Sequence, residues 1–315
     1  MTSMHKPTIG WIGAGRMGFE MASRLLGAGY DVAVYNRTQS KAEPLVDLGA
    51  TIVSKPVDLA DRDIVFIMVS APKDLEQVTV GDDGLLTSGD STPGMIIDSS
   101  TVSQEASAKI RAMALERGSE FLAAPVSGNP SVIAAGKLTI AASGPRDTFD
   151  RAHEVLTTIG RSATYVGDGE VARLVKIAHN VFLGVVIQSL VEVTMLTERG
   201  GVSREAFLSF LNDSVMGSTF TRYKSPALVN LDFTPTFTMP LLSKDFDLGL
   251  AAAHELKVPM PIAGATAQLV ASAVGAGYLT EDFAVLLLEE ARRAGVELEP
   301  ENATVLSGLE VPDHE

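Results

Sequence analysis

A glycine-rich loop near the start of the chain constrains the fold most. Gly13, Gly15 and Gly18 follow an apolar, β-branched run at residues 8–12 and precede a helical stretch at residues 17–26. This order of strand, G-x-G-x-x-G loop and helix allows a tight turn, and it points the helix N-terminus at a pyrophosphate. The sequence therefore predicts a dinucleotide-binding site.

The first half of the chain alternates between strand and helix patterns. Strand-like runs lie at residues 8–12, 31–35, 64–69, 95–97 and 138–141, with helical stretches at 17–26, 40–48 and 103–117. The run at 64–69 is apolar throughout, as in a strand that is buried on both faces. We therefore predict an α/β fold that begins with a doubly wound, mainly parallel Rossmann-type sheet.

The second half is predicted to be all-helical. Residues 169–199 contain one helix breaker, Gly184, and would span about 46 Å as a helix. Residues 181–187 are apolar on every side, so the helix must be buried all round, and we expect a partner subunit to help cover it. Further helices are predicted at residues 203–212, 241–256, 262–276 and 283–294.

These patterns divide the 315 residues into three parts. Residues 1–166 form the predicted dinucleotide-binding domain, and residues 167–296 form a helical substrate and dimerisation domain, joined by the long helix at about 169–199. Residues 297–315 form an acidic tail that we expect to be mobile.

Composition excludes several kinds of function. The chain has no cysteine, which rules out disulfides and thiolate nucleophiles, and its five scattered histidines predict no metal site. The net charge of −14 argues against nucleic acid and anionic membrane as partners.

The uncharged stretch 258–280 is rich in alanine and glycine, which favours a buried helix over a membrane span. The start of the chain has no signal-peptide pattern, so we expect a cytoplasmic protein.

The end of the second strand bears on the choice of cofactor. An NAD site usually has an acidic residue here, which bonds the ribose 2′-hydroxyl, whereas this chain has Asn36, Arg37 and Thr38. Arg37 offers a planar cation suited to a 2′-phosphate, so NADP is predicted over NAD, with NAD still possible. Arg16 and Lys41 could add positive charge. The alternative is that Arg37 and Lys41 are solvated surface cations.

Lys176 and Asn180 are the candidate catalytic residues. Four residues apart in a predicted helix, they share one face, which aims an ammonium and an amide at one point. Beside a nicotinamide ring, this pair could exchange a proton with an alcohol or carbonyl oxygen and orient it. Burial and a cationic nicotinamide would lower the pKa of the lysine toward neutrality. Taken alone, Lys176 is equally well explained as a surface helix lysine.

Together these residues resemble the β-hydroxyacid dehydrogenases, the family of 3-hydroxyisobutyrate dehydrogenase, tartronate semialdehyde reductase and the glyoxylate/succinic semialdehyde reductases. The resemblance covers residues 7–295 and rests on four ordered motifs, with a weaker fifth at Lys244-Asp245. The four are the glycine loop with Asn36-Arg37-Thr38, Asp98-Ser99-Ser100-Thr101, Ala124-Pro125-Val126-Ser127-Gly128, and Gly167-Asp168-Gly169 leading to Lys176 and Asn180.

The resemblance implies a role for each motif. Thr101 would lie near the nicotinamide, Ser127 and Gly128 would hold a substrate carboxylate, and Lys244 would close over cofactor and substrate. The full cofactor set is then Gly13, Gly15, Arg16, Met17, Gly18, Asn36, Arg37, Thr38, Val69, Ser70, Thr101 and Lys244. The substrate set is Ser127, Gly128, Asn129, Lys176 and Asn180, of which Lys176 and Asn180 are catalytic.

Three positions depart from the family pattern. Ala123 stands where the family usually has Asp, Asn129 where it has a second glycine, and His179 where it has the first of two asparagines. Asn129 and His179 could reshape the substrate pocket, although for His179 the favoured interpretation is that it only packs or forms a hydrogen bond. The family's reaction class therefore carries over as an expectation, whereas no particular substrate does.

The predicted function is an NADP-preferring dehydrogenase or reductase of a small β-hydroxyacid or semialdehyde, assembled as a homodimer or homotetramer. One alternative is an imine reductase, although those enzymes generally have Asp or Tyr in place of Lys176. A second is a non-catalytic NADP-binding sensor, which would be expected to lose the lysine or the Ser127-Gly128 turn. Both features are present in this chain.

Overall fold

The computed structural model describes residues 6–310, which form two compact units. The N-terminal unit ends at Lys176 and the C-terminal unit begins at Ile177. The predicted domain boundary at residue 167 precedes this division. The reason is that Ala172 and Arg173, in the first turn of the long helix, are buried in the N-terminal unit.

The N-terminal unit is built on one sheet, whose strand order is β3-β2-β1-β4-β5-β6-β8-β7, with β9 paired to β8. Strands β1 to β6 pair in parallel, whereas β8 runs antiparallel to β6 and β7. This confirms the predicted doubly wound, mainly parallel sheet. The strands are β1 Ile9–Ile12, β2 Val32–Tyr35, β3 Thr51–Ile52, β4 Ile64–Ile67, β5 Met95–Asp98, β6 Glu120–Ala123, β7 Val126–Ser127, β8 Thr139–Ser143 and β9 Ser162–Gly167.

Helices cover both faces of this sheet. They are α1 Arg16–Gly27, α2 Pro72–Val80, α3 Gln104–Glu116, α4 Pro130–Ala134 and α5 Arg146–Ile159. Alternate residues of β4 enter different cores: Phe66 stacks on Trp11 at 5.1 Å between ring centroids, whereas Val65 packs in the core that contains Leu75 of α2. The central strand is therefore buried on both faces, as its apolar sequence predicts.

The prediction of an α-helix at residues 40–48 is wrong. The segment forms two 3₁₀ turns, Gln39–Lys41 and Glu43–Leu48. Pro44 is the physical reason, because it lacks an N–H donor and its ring clashes with the carbonyl one turn earlier in an α-helix.

The C-terminal unit is all-helical. The long helix α6 spans Val171–Arg199, and the part after Lys176 belongs to this unit. The other helices are α7 Arg204–Asp213, α8 Thr219–Asn230, α9 Met239–Glu255, α10 Pro261–Gly275 and α11 Leu286–Ala294. Helix α6 is long and apolar enough to cross a membrane, but Ile187, Leu190 and Val191 lie in the core of this unit. Gly184 lets α9 approach closely, because a Cβ there would meet the Phe246 ring at 2.4 Å.

The chain beyond α11 packs on the C-terminal unit, contrary to the expectation of a mobile tail. Val296, Leu298 and Val305 contact its core, and the Glu301 carboxylate accepts the backbone N–H of Arg204 at 2.7 Å. The Asn230 side chain bonds the backbone of Ala303 in both directions, at 2.9 and 3.1 Å. Apolar residues spaced through the acidic segment therefore fix it in place. Residues 311–315 lie outside the described part.

Candidate cofactor and substrate site

The carboxyl ends of five parallel strands lie in register at one edge of the sheet. Ile12 is paired with Tyr35 and Ile67, Ile67 with Asp98, and Asp98 with Ala123. The segments that follow these strands contain the glycine loop, residues 36–38, 68–70, 99–101 and 124–129. Open α/β sheets bind ligands outside this edge, and the fold brings the N-terminal unit's predicted site segments to it.

Each glycine of the loop meets a different requirement of a dinucleotide site. Gly13 has φ +100°, and a Cβ there would meet the Met68 carbonyl oxygen at 2.2 Å. A Cβ on Gly18 would meet the Gly13 carbonyl oxygen at 1.9 Å, so the loop and α1 can pack this closely only with glycine. A Cβ on Gly15 would enter open space at the start of α1. That space lies against a helix N-terminus that no side chain caps, which fits a pyrophosphate.

Asn36 joins the glycine loop to the end of β2. Its Oδ1 accepts the backbone N–H of Ala14 at 2.9 Å, and its Nδ2 donates to the Thr38 carbonyl at 2.7 Å. The neighbouring Arg37 is exposed and forms an ion pair with Asp74 of α2, with Nη1 and Oδ1 3.0 Å apart. The cation predicted for the 2′-phosphate therefore lies beside the glycine loop and already has an anionic partner.

The loops after β4 and β5 are tied to each other. The Ser100 hydroxyl accepts the backbone N–H of Val69 at 2.9 Å, and Asp98 Oδ1 accepts the backbone N–H of Ser100 at 3.0 Å. The adjacent predicted cofactor residues are Ser70, which is exposed, and Thr101, which is half-buried. Their backbone positions are thus set by two buried polar side chains, Asp98 and Ser100.

A buried arginine anchors the start of α6 to the same loops. Arg173 and Asp98 are 1% and 0% exposed, and their Nη2 and Oδ2 atoms are 2.6 Å apart. The Arg173 guanidinium also donates to the Ser107 hydroxyl and to the carbonyl of Ser100. Lys176 follows Arg173 by one helical turn and is half-buried. The ion pair therefore fixes the first turns of α6, which carry Lys176, to the loop that carries Thr101.

The turn after β7 has the backbone that the Ser-Gly motif requires. Gly128 has φ +148°, and a Cβ there would meet Val132 and Leu138 at 2.8 and 2.9 Å. Asn129 is 8% exposed, and its Oδ1 caps α4 by accepting the Val132 N–H at 2.9 Å. This capping role differs from the substrate contact predicted for the Asn129 side chain. Ser127 is half-buried at the start of this turn.

In the C-terminal unit, Asn180 is held between two neighbours. Its Nδ2 donates to Asp245 Oδ2 at 2.6 Å, and its Oδ1 lies 3.0 Å from His179 Nδ1. A carboxylate only accepts, so Asp245 fixes the direction of the amide, and His179 donates to the oxygen. His179 thus forms a hydrogen bond, one of the two roles considered for it. Lys244, on α9 next to Asp245, is half-buried.

Sequence reasoning missed three residues of this arrangement. The partners of Arg173 and Asp74 lie 75 and 37 residues away in sequence. Ser100 belongs to a motif, but the motif does not indicate that its hydroxyl joins two loops. No local pattern reports such contacts.

Two family profiles together match most of the chain. Residues 8–167 match the NAD-binding domain of 6-phosphogluconate dehydrogenase. Residues 167–298 match the profile described as NAD-binding of NADP-dependent 3-hydroxyisobutyrate dehydrogenase. The chain belongs to the β-hydroxyacid dehydrogenase family.

Individual family members are similar over nearly the whole chain. Glyoxylate/succinic semialdehyde reductase 2 of Arabidopsis thaliana is 30% identical over 89% of this chain and 78% of its own length. The oxidoreductase YfjR of Bacillus subtilis is 34% identical over 88% of this chain and 97% of its own. The structure of 3-hydroxyisobutyrate dehydrogenase from Salmonella typhimurium superimposes with a TM-score of 0.81 at 26% identity, covering 90% of this chain and all of that one.

Membership of this family confirms the predicted class. The protein is a β-hydroxyacid dehydrogenase family oxidoreductase with a nicotinamide dinucleotide as its cofactor.

Proposed function

We propose that this protein transfers a hydride between NADP(H) and a small β-hydroxyacid or the corresponding semialdehyde, with Lys176 as the general acid/base. The observation that carries the proposal is the Arg173–Asp98 ion pair, at 2.6 Å. It holds the first turns of α6, and with them Lys176, to the carboxyl edge of the sheet, where the glycine loop also lies.

A bound nicotinamide supplies the hydride acceptor for oxidation or the donor for reduction. The chain must then manage the proton of the reacting oxygen. In oxidation, the neutral amine of Lys176 accepts the hydroxyl proton as the carbon–oxygen double bond forms; in reduction, the ammonium returns it. Asn180 orients the oxygen. Its amide direction is set by Asp245 at 2.6 Å, so it contributes a fixed dipole without a charge of its own.

The substrate carboxylate is assigned to the turn at Ser127 and Gly128. Backbone N–H groups in such a turn, together with a serine hydroxyl, can bind an anion without a cationic side chain. The positive φ of Gly128 supports this assignment, because it creates a turn that few other residues could form. A carboxylate here and an oxygen at Lys176 would select short acids.

The NADP preference rests on Arg37 and on the absence of an acid at the end of β2. A planar guanidinium can bind a 2′-phosphate through two hydrogen bonds, whereas an NAD site usually presents a carboxylate there. Arg37 is 82% exposed, so a ligand can reach it without moving the backbone.

We also propose that the protein is a homo-oligomer that covers an apolar face of α6. Phe182 and Leu196 are 68% and 72% exposed in the single chain, and an apolar groove of about 330 Å³ opens beside Phe182. Light scattering of Phe182→Asp should report a smaller particle than the unaltered protein. The matched control is Val215→Asp, at a fully exposed site outside this face, which should leave the size unchanged.

Initial rates on a panel of short acids test the proposed reaction. The panel contains 3-hydroxyisobutyrate, D-glycerate, 3-hydroxypropionate, L-threonate and L-serine, each with NADP+ and NAD+, and glyoxylate and succinic semialdehyde with NADPH. Turnover of at least one, faster with the NADP form, supports the proposal. Reduction of a cyclic imine with no turnover of any acid would favour an imine reductase, and tight NADPH binding with no turnover at all would favour a sensor.

A further inference from the structure

Asp74 is placed to influence which dinucleotide the protein binds. It lies in the first turn of α2 and pairs with Arg37, the residue assigned to the 2′-phosphate. We infer that Asp74 is a cofactor-specificity residue, which opposes the 2′-phosphate of NADP and supports the 2′-hydroxyl of NAD. The inference rests on the proposed assignment of Arg37 and deepens it.

The geometry places the carboxylate at the ribose end of the cofactor site. Arg37 Nη1 and Asp74 Oδ1 are 3.0 Å apart, and the residue before Arg37 is bonded to the glycine loop through Ala14. The arginine is 82% exposed, whereas Asp74 is 19% exposed. The carboxylate is therefore the more fixed partner, and the guanidinium is the one that can turn toward a ligand.

A 2′-phosphate and the Asp74 carboxylate compete for one guanidinium. Binding the phosphate at Arg37 either breaks the ion pair or leaves two anions close to the same cation, and like charges at such distances repel. Lys73 precedes Asp74 directly and Lys41 follows Arg37 by four residues; both are exposed and can offset part of the repulsion. The preference for NADP is thus weaker than Arg37 alone would give.

The same carboxylate suits a 2′-hydroxyl. NAD-binding sheets usually supply an acid from the end of the second strand to accept this hydroxyl. Here that strand ends in Tyr35 and is followed by Asn36, so no carboxylate comes from it. Asp74 brings one to Arg37 from α2 instead, and an ionised carboxylate accepts a hydroxyl hydrogen bond readily. The site therefore holds one group for each cofactor.

Binding of NADPH and NADH to Asp74→Asn, measured by fluorescence titration at fixed ionic strength and without substrate, tests this inference. NADPH should bind about tenfold more tightly, which corresponds to about 1.4 kcal/mol, and NADH about threefold more weakly. The matched control is Glu76→Gln, which removes the same charge from the same helix. Glu76 pairs with Lys109 at 2.6 Å, and its replacement should shift both affinities less than about twofold.

Unchanged selectivity in Asp74→Asn, or weaker NADPH binding, would overturn the inference; the latter would mean that Asp74 orients Arg37 for the phosphate. Asp74→Ser provides a second variant, with a shorter uncharged side chain. Arg37→Ala, titrated in parallel, distinguishes failure of the Asp74 role from failure of the 2′-phosphate assignment. Equal loss of both cofactors in Arg37→Ala removes the 2′-phosphate assignment itself. Selective loss of NADPH there, with no effect of Asp74→Asn, refutes only the role of Asp74.

Discussion

Arg173 and Asp98 form an ion pair that is almost completely removed from solvent, with 2.6 Å between Nη2 and Oδ2. The pair joins the start of helix α6 to the end of strand β5, and Asp98 also accepts the backbone N–H of Ser100. One buried contact therefore sets the position of both the first turns of a predicted catalytic helix and a predicted nicotinamide loop.

Replacing Arg173 with Leu should destabilise the protein by about 3–5 kcal/mol, because the Asp98 carboxylate would stay buried without its cation. Urea unfolding measures the loss. Arg146→Leu is the matched control, because its ion pair with Asp150, with Nε and Oδ1 2.9 Å apart, is more than half exposed at both side chains. That change should cost less than about 1 kcal/mol. Equal costs would show that Arg173 is not the anchor described.

Gly15 and Gly18 should respond differently to alanine. Gly15→Ala places its methyl group in open space, so stability should change by less than about 1 kcal/mol while the methyl blocks the expected pyrophosphate position. Gly18→Ala would press on the Gly13 carbonyl oxygen and should lower the melting temperature. Calorimetric unfolding and NADPH titration separate the two effects. Normal NADPH affinity in Gly15→Ala would contradict the assignment of the loop.

The buried ion pair between Lys224 and Asp282 should make the free energy of unfolding decrease at acid pH. Burial alone would raise the pKa of Asp282, but the Lys224 ammonium, 2.6 Å away, and hydrogen bonds from Ala284 and Thr236 hold that pKa below its ordinary value. A carboxyl group whose pKa is lower in the folded protein than in the unfolded chain stabilises the folded state at pH values above the unfolded-state pKa. This contribution is lost as the pH falls through the folded-state pKa.

Asp282→Asn tests this dependence. The free energy of unfolding should differ most between the unaltered protein and the variant at about pH 7 and least at about pH 3. Urea unfolding at a series of pH values gives the difference directly. A constant difference over this range would mean that the charge of Asp282 contributes nothing.

The parts of the fold that the sequence predicts well are those encoded locally. The glycine loop and the strands before and after it are apparent from residue type and spacing within about thirty positions. Residues 40–48 show the limit of that approach, because their helical pattern contains Pro44, which converts the segment into 3₁₀ turns. The tail shows another limit, since an acidic composition conceals the apolar residues Leu298, Ala303 and Val305, which pack against the core of the C-terminal unit.

The site is predictable in its motifs but not in its connections. Spacing alone places Lys176 and Asn180 on one helix face. It does not reveal that Arg173 reaches Asp98, or that Arg37 meets Asp74, because these contacts depend on how distant segments fold together. Asn129 is the opposite case, a residue suggested by its place in a motif, whose side-chain oxygen is used to cap α4.

In the proposed mechanism, Lys176 exchanges the proton of the substrate oxygen. The decisive measurement is kcat and NADPH affinity for Lys176→Ala, beside Lys109→Ala, an exposed lysine on α3 paired with Glu76. We expect kcat for the best substrate of the panel to fall at least ~10²-fold in Lys176→Ala, while NADPH binds as before and Lys109→Ala stays fully active. Unchanged turnover in Lys176→Ala, or loss of NADPH binding with it, would contradict the role assigned to this lysine.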